Sequence, residues 1–218
     1  MAITLPSTIQ PIWNELHGDV AWLHWRWHIY RQLFGTSPER IQFLNECAAT
    51  FFGMLQNVLL DDVQLGLSKL GDPSQTGKHR NITLATLADA IAGLNEPALN
   101  TQLQSAITAY QSKSARVRDR RNKRIAHLDF NTSMQRASAG LPQPSRQEID
   151  EALEALRKFM NVIAARFGNT QIFYEASAPD AAAYALLLIL KGGMRHREMW
   201  NDEGSWLEDL QKSRYFRV

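Results

Sequence analysis

Six basic side chains fall within positions 116–124, and a single imidazole, His127, follows them in the stretch RVRDRRNKRIAHLDF. Breaking an RNA phosphodiester without a metal asks for three things: a base to take the proton of the 2′-hydroxyl, an acid for the leaving oxygen, and cations to stabilise charge on a phosphorane-like transition state. Imidazole serves either proton role near neutral pH, and the guanidinium fork matches phosphate oxygens. One histidine framed by arginines supplies the minimum set.

Helix geometry constrains how those groups can meet. At about 100° per residue on one unbroken helix, Arg121 and His127 point about 240° apart and about 9 Å from each other along the axis. Arg120 and Arg124 face closer to His127, about 20° and 60° away by the same geometry. Three arrangements would bring the groups together: a helix break near Ala126, inward bending of the long side chains, or completion of the site by a second copy. A twofold dimer would set two such stretches side by side and focus the positive field.

The chain has 218 residues and a net charge of only +2, yet positions 113–124 hold seven basic residues against the single acid Asp119. That local excess of six leaves the remainder of the chain net negative by four. Concentrated basic charge is the usual footprint for a polyanion, nucleic acid first, and a solvated helix face is the plainer alternative. Lys78-His79-Arg80 and Arg195-His196-Arg197 are smaller basic groups that fit either description.

Other chemistries find little support. There is no phosphate-binding glycine loop, CxxC pair, HExxH or GxSxG. His17, His24 and His28 share one helical face but lack a carboxylate repeated on a partner helix. They read as surface or interface histidines, and no metal or cofactor is expected. The lone Cys47 lies in a helical apolar pattern, which excludes an internal disulfide and fits a reducing cytoplasm. The longest apolar run, AAAYALLLIL from Ala181, is half the length of a membrane span, so neither secretion nor membrane insertion is expected.

The elements that must position these groups read as helices throughout. Trp13, Leu16, Val20, Leu23, Trp27, Tyr30 and Phe34 draw an apolar stripe along a first helix ended by Gly35. Ser37-Pro38 opens a second, which continues with a bend to about Leu70. Residues 71–81 read as a loop, and Leu84, Leu87, Ile91 and Leu94 mark a short third helix. A fourth begins near Pro97 with the stripe Leu103, Ile107, Tyr110, Ser114, Val117, Arg121, Arg124 and Leu128. In that register Arg121 and Arg124 face the body of the protein.

Residues 134–145 form a linker, after which Ser145 and Glu148 make a capping box for a fifth helix ended by Gly168. A sixth, residues 179–191, reads as packed between neighbours, and Trp200, Trp206 and Tyr215 are available to dock the tail. No strand alternation or Asn-Gly hairpin signal is present. The expected fold is an all-α antiparallel bundle of about six helices, with residues 1–170 as the bundle and 171–218 as a helical extension packed on it.

RNKRIAH, from Arg121 to His127, resembles the R-x(4–6)-H signature of the HEPN superfamily of helical nucleotide- and RNA-binding proteins. WRWHIYRQLF from Trp25, LSKLGDP from Leu67, the IAHLDF that ends at Phe130 and DAAAYALLLILK from Asp180 are similar to its AbiU-type abortive-infection branch. The resemblance implies a dimerising bundle whose motifs line a shared cleft, with metal-independent endoribonuclease activity in phage defence or a toxin–antitoxin system. It implies that Arg121 stabilises the scissile phosphate, that His127 acts as acid or base, and that Asn122 helps orient the site. Arg120 also satisfies the signature, with six intervening residues. Arg116, Arg120, Lys123 and Arg124 would then hold RNA, and a cognate antitoxin protein would be a further partner.

Two other readings stand beside this one. A non-catalytic RNA- or nucleotide-binding protein would show salt-dependent affinity without cleavage. In a protein-interaction module, the solvated basic face would be met by acids of a partner chain; in purely structural roles, Arg121 would be bridged to a core-facing acid such as Asp61 or Asp62, and His127 would be a hydrogen-bonded core histidine.

Overall fold

The computed structural model describes residues 3–125, 143–176 and 182–199. The fold is all-α, as expected. In chain order it comprises α1 (Gln10–Phe34), α2 (Pro38–Leu70), α3 (Leu84–Ala92), α4 (Pro97–Lys113), α5 (Ala115–Arg120), a π-helical turn (Arg121–Ile125), α6 (Arg146–Gly168) and α7 (Ala182–Met199). Two two-residue strands, β1 (Gln75–Thr76) and β2 (His79–Arg80), pair antiparallel where the sequence predicts an unstructured loop. Gly77, with φ of +59°, supplies the left-handed residue that closes this hairpin in place of Asn-Gly.

The chain divides into two compact units. The first contains Met1–Tyr30 and Gln56–Ala178, and the second Arg31–Leu55 and Pro179–Val218. In the first, the predicted stripe on α1 is buried at Trp13, Leu16, Val20, Leu23 and Trp27. Val63 and Leu67 of α2, Leu87 and Ile91 of α3, Leu103 and Tyr110 of α4, and Leu156, Phe159 and Ile163 of α6 complete its core. Gly66 lets α2 approach α1 closely, since a Cβ there would lie 2.9 Å from Leu23 Cδ1. Ser145 caps α6 through the predicted box, accepting from Glu148 N while the Glu148 carboxylate accepts from Ser145 N at 2.7 Å. At the other end of α6 it is Asn169, at φ 44°, that adopts the left-handed cap, while Gly168 stays helical.

In the second unit α2 is interrupted at Ala48, whose φ of −165° and ψ of 77° are extended. This is the bend expected of that helix. There α7 runs through Gly192 and Gly193 to Met199, past the predicted stop. It also differs from the expected packed helix, because Leu188 and Ile189 are about three-quarters exposed. Arg40 lies over the Tyr184 ring at 5.5 Å from its centre. No helix among the described residues is long and apolar enough to cross a membrane.

Candidate functional site

The basic segment does not ride one continuous helix. Ser114 takes φ −90° and ψ 0°, and both its amide and its hydroxyl donate to Tyr110 O, at 2.9 and 2.8 Å. A side chain that bonds back to the preceding turn competes with regular helix, so α4 ends here and α5 begins. The inward places pass from Tyr110 and Ser114 to Val117 and Arg120. Ser114 and Val117 lie inward as the stripe predicts; the departure comes after Val117, where Arg120 rather than Arg121 takes the fully buried place just before the π turn.

Arg120 is only 2% exposed and lies 3.7 Å from Asp61 of α2. Its side chain is buried within the first unit. Arg121 begins the π turn, half-buried, and its Nη2 donates to Asp72 Oδ1 at 2.5 Å. The expected acids were Asp61 and Asp62. Asp61 instead faces Arg120, and Asp62 accepts from Arg26 at 2.5 Å. Single π turns recur at functional sites because they displace side chains from ordinary helical register. Asn122 is exposed within that turn, and Arg124 contributes its backbone to it. His127 lies outside the described residues, as do Trp200, Trp206 and Tyr215.

Asp72 is the residue that sequence reasoning missed. It follows α2 directly, and the end of that helix is locked in place by Tyr110, whose hydroxyl donates to Leu67 O deep in the core. Gly71 passes so close to Tyr110 that a Cβ would come 3.1 Å from its ring. Burial pushes the Tyr110 phenol well above its usual range, keeping it a neutral donor. The outcome is a carboxylate aimed at α5, where Oδ1 also lies 3.9 Å from Arg118 Nη2.

The other cations of this segment whose side chains are described are paired too. Lys113 meets Glu151 at 2.8 Å, Arg116 meets Glu148 at 2.6 Å, and Lys123 meets Asp119 at 2.9 Å. Hydrogen bonds from Ser145 and Arg116 hold the Glu148 carboxyl below its usual range, and Lys113 does the same for Glu151. Six cations thus share five carboxylates. The charge excess counted along the sequence is largely answered in space. Exposed pairs such as that of Arg116 contribute well under about 1 kcal/mol each and exchange readily for phosphate.

A second polar cluster surrounds Tyr174. His17 Nδ1 is 2.8 Å from its hydroxyl, and the His24 ring stacks on it at 5.2 Å. His24 is buried, correcting its reading as a surface histidine, and its Nε2 has no hydrogen-bond partner among the described residues. Burial drives the His24 imidazole from its ordinary 6.5 to about 4; Glu175, 3.7 Å away, pulls the other way, and Arg157 adds to the lowering. No group of histidines, cysteines and carboxylates among the described residues could hold a metal.

An all-α bundle that carries an Arg-Asn pair at a π turn, inside a dense basic segment, defines the class: a helical protein of the HEPN kind. The AbiU2 model of that class matches residues 7–185, most of the chain, and the protein belongs to the HEPN AbiU2 family. No curated protein and no solved structure matches the chain.

Proposed function

We propose that this protein is a metal-independent endoribonuclease acting in phage defence or as the toxin of a toxin–antitoxin pair, with Arg121 and His127 of two copies sharing one cleft. The observation that carries the reading is the Arg121-Asn122 pair opening a π turn within a chain of the AbiU2 family. In this scheme one His127 takes the 2′-hydroxyl proton, and the freed oxygen attacks phosphorus. The bond to the 5′-oxygen breaks, and the other copy's His127 supplies that oxygen's proton, leaving a 2′,3′-cyclic phosphate and a 5′-hydroxyl. Arg121 stabilises charge on the non-bridging oxygens, and Asn122 orients the phosphate. Arg116, Lys123 and Arg124 hold the flanking backbone, and a cognate antitoxin protein would restrain the pair.

A second reading, RNA or nucleotide binding without cleavage, is favoured by the Asp72 carboxylate that already occupies Arg121. Induced expression separates the two. The ribonuclease reading expects growth arrest that is relieved by Arg121→Ala or His127→Ala at equal protein levels. A binding protein is equally tolerated in all three forms.

A further inference from the structure

The described cations of the arginine-rich stretch are each paired with a carboxylate of the chain. The cations without such answer are elsewhere. Lys78, His79 and Arg80 make no ion pair with any described carboxylate, although none lies far in sequence from the Asp72 clamp. All three are exposed on the β1–β2 hairpin.

This hairpin is braced at its base. Asn81 donates to Pro73 O at 2.9 Å and Thr76 Oγ1 at 2.8 Å, and its amide reaches Ser74 O at 2.9 Å. Gln75 Nε2 closes the tip onto Gly77 O at 2.8 Å, and Thr86 of α3 donates to Asn81 O. The register pairs Gln75 with Arg80 and Thr76 with His79, so Arg80 and His79 face opposite sides while Lys78 stands at the turn. Cations spread around a braced tip suit the repeating charge of a backbone more than the edge of one base. The Asp72 carboxylate ties the foot of this loop to Arg118 and Arg121.

We propose that the β1–β2 hairpin is a phosphate-gripping finger through which the protein binds single-stranded RNA beside Arg121, Lys78 and Arg80 being its principal contacts. The inference rests on the RNA-directed reading above and adds to it the place where the strand is held. Entering phosphates meet the finger first and then compete with Asp72 for Arg121.

The test is fluorescence anisotropy with a labelled single-stranded 2′-O-methyl RNA of mixed sequence, which lacks the attacking hydroxyl, over a series of KCl concentrations. Lys78→Ala/Arg80→Ala should weaken binding by about tenfold at moderate salt and make the salt slope shallower by about 1.4, two phosphate contacts on a single strand. Lys78→Glu/Arg80→Glu should weaken it further, with the far-ultraviolet dichroism and melting of both variants matching the wild type. If the wild type binds with a salt-dependent affinity and both variants bind equally well, the finger is overturned while the RNA reading stands. If the wild type shows no salt-dependent binding, both fall.

Discussion

Asp72 Oδ1 accepts from Arg121 Nη2 at 2.5 Å, across 49 residues of sequence. The same oxygen lies 3.9 Å from Arg118, so one carboxylate restrains two guanidinium groups. Arg121 Nε, on the same edge of the fork, is buried and has no hydrogen-bond partner among the described residues. The clamp is therefore one-pronged, short of the two parallel bonds that an arginine fork can make to a carboxylate.

Replacing Asp72 with Asn keeps the shape and removes the charge. RNA affinity should rise about three- to tenfold at moderate salt as the two arginines are released. Stability should fall by about 1–2 kcal/mol with the loss of a charge-assisted hydrogen bond. Anisotropy titration and urea denaturation read the two effects separately, and unchanged affinity would show that Asp72 does not compete with RNA.

Arg120 and Arg121 are adjacent in sequence, and the proposed function gives them opposite tasks. Arg120→Ala should empty the buried volume that this side chain fills beside Asp61 and lower the urea unfolding free energy by about 2–3 kcal/mol, with cleavage by the folded fraction preserved. Arg121→Lys should do the reverse: little change in stability, and loss of cleavage by about a hundredfold or more, because an ammonium cannot reproduce the fork. Equal effects of the two substitutions on cleavage would contradict this division.

His24 makes stability depend on acid. Its folded pKa of about 4 lies below the ordinary 6.5, so the folded state refuses a proton that the unfolded chain accepts. The contribution is fully present above about pH 6.5 and is lost as pH falls towards 4, amounting to about 3 kcal/mol at most. Glu175 and Arg157 act on the same imidazole, and Tyr174 and His17 pack beside it. His24→Gln should flatten this part of the stability profile, measured by urea denaturation at pH 7 and pH 4.5.

Local signals were well written in the sequence. The stripe on α1 and the Ser145 box on α6 involve neighbours a few residues apart, and both are present as read. The register of the basic segment is legible through Val117 and fails beyond it, where the chain passes from α5 into the π turn and Arg120 takes the buried place expected for Arg121. Nothing in a linear pattern marks Asp72 as the partner of Arg121, since Tyr110 and Gly71 bring it there through packing. The hairpin carries a Gly77 turn without the Asn-Gly pair that usually announces one. His127, which the proposed chemistry requires, is nominated by its spacing and its family resemblance.

Incubating the purified protein with RNA in excess EDTA, and resolving the products and their ends, tests the central claim most directly. Wild type should yield fragments ending in 2′,3′-cyclic phosphate and beginning with 5′-hydroxyl, and His127→Ala should yield none while binding 2′-O-methyl RNA as before. Cleavage that persists in His127→Ala, or that vanishes from wild type when EDTA is added, would contradict it.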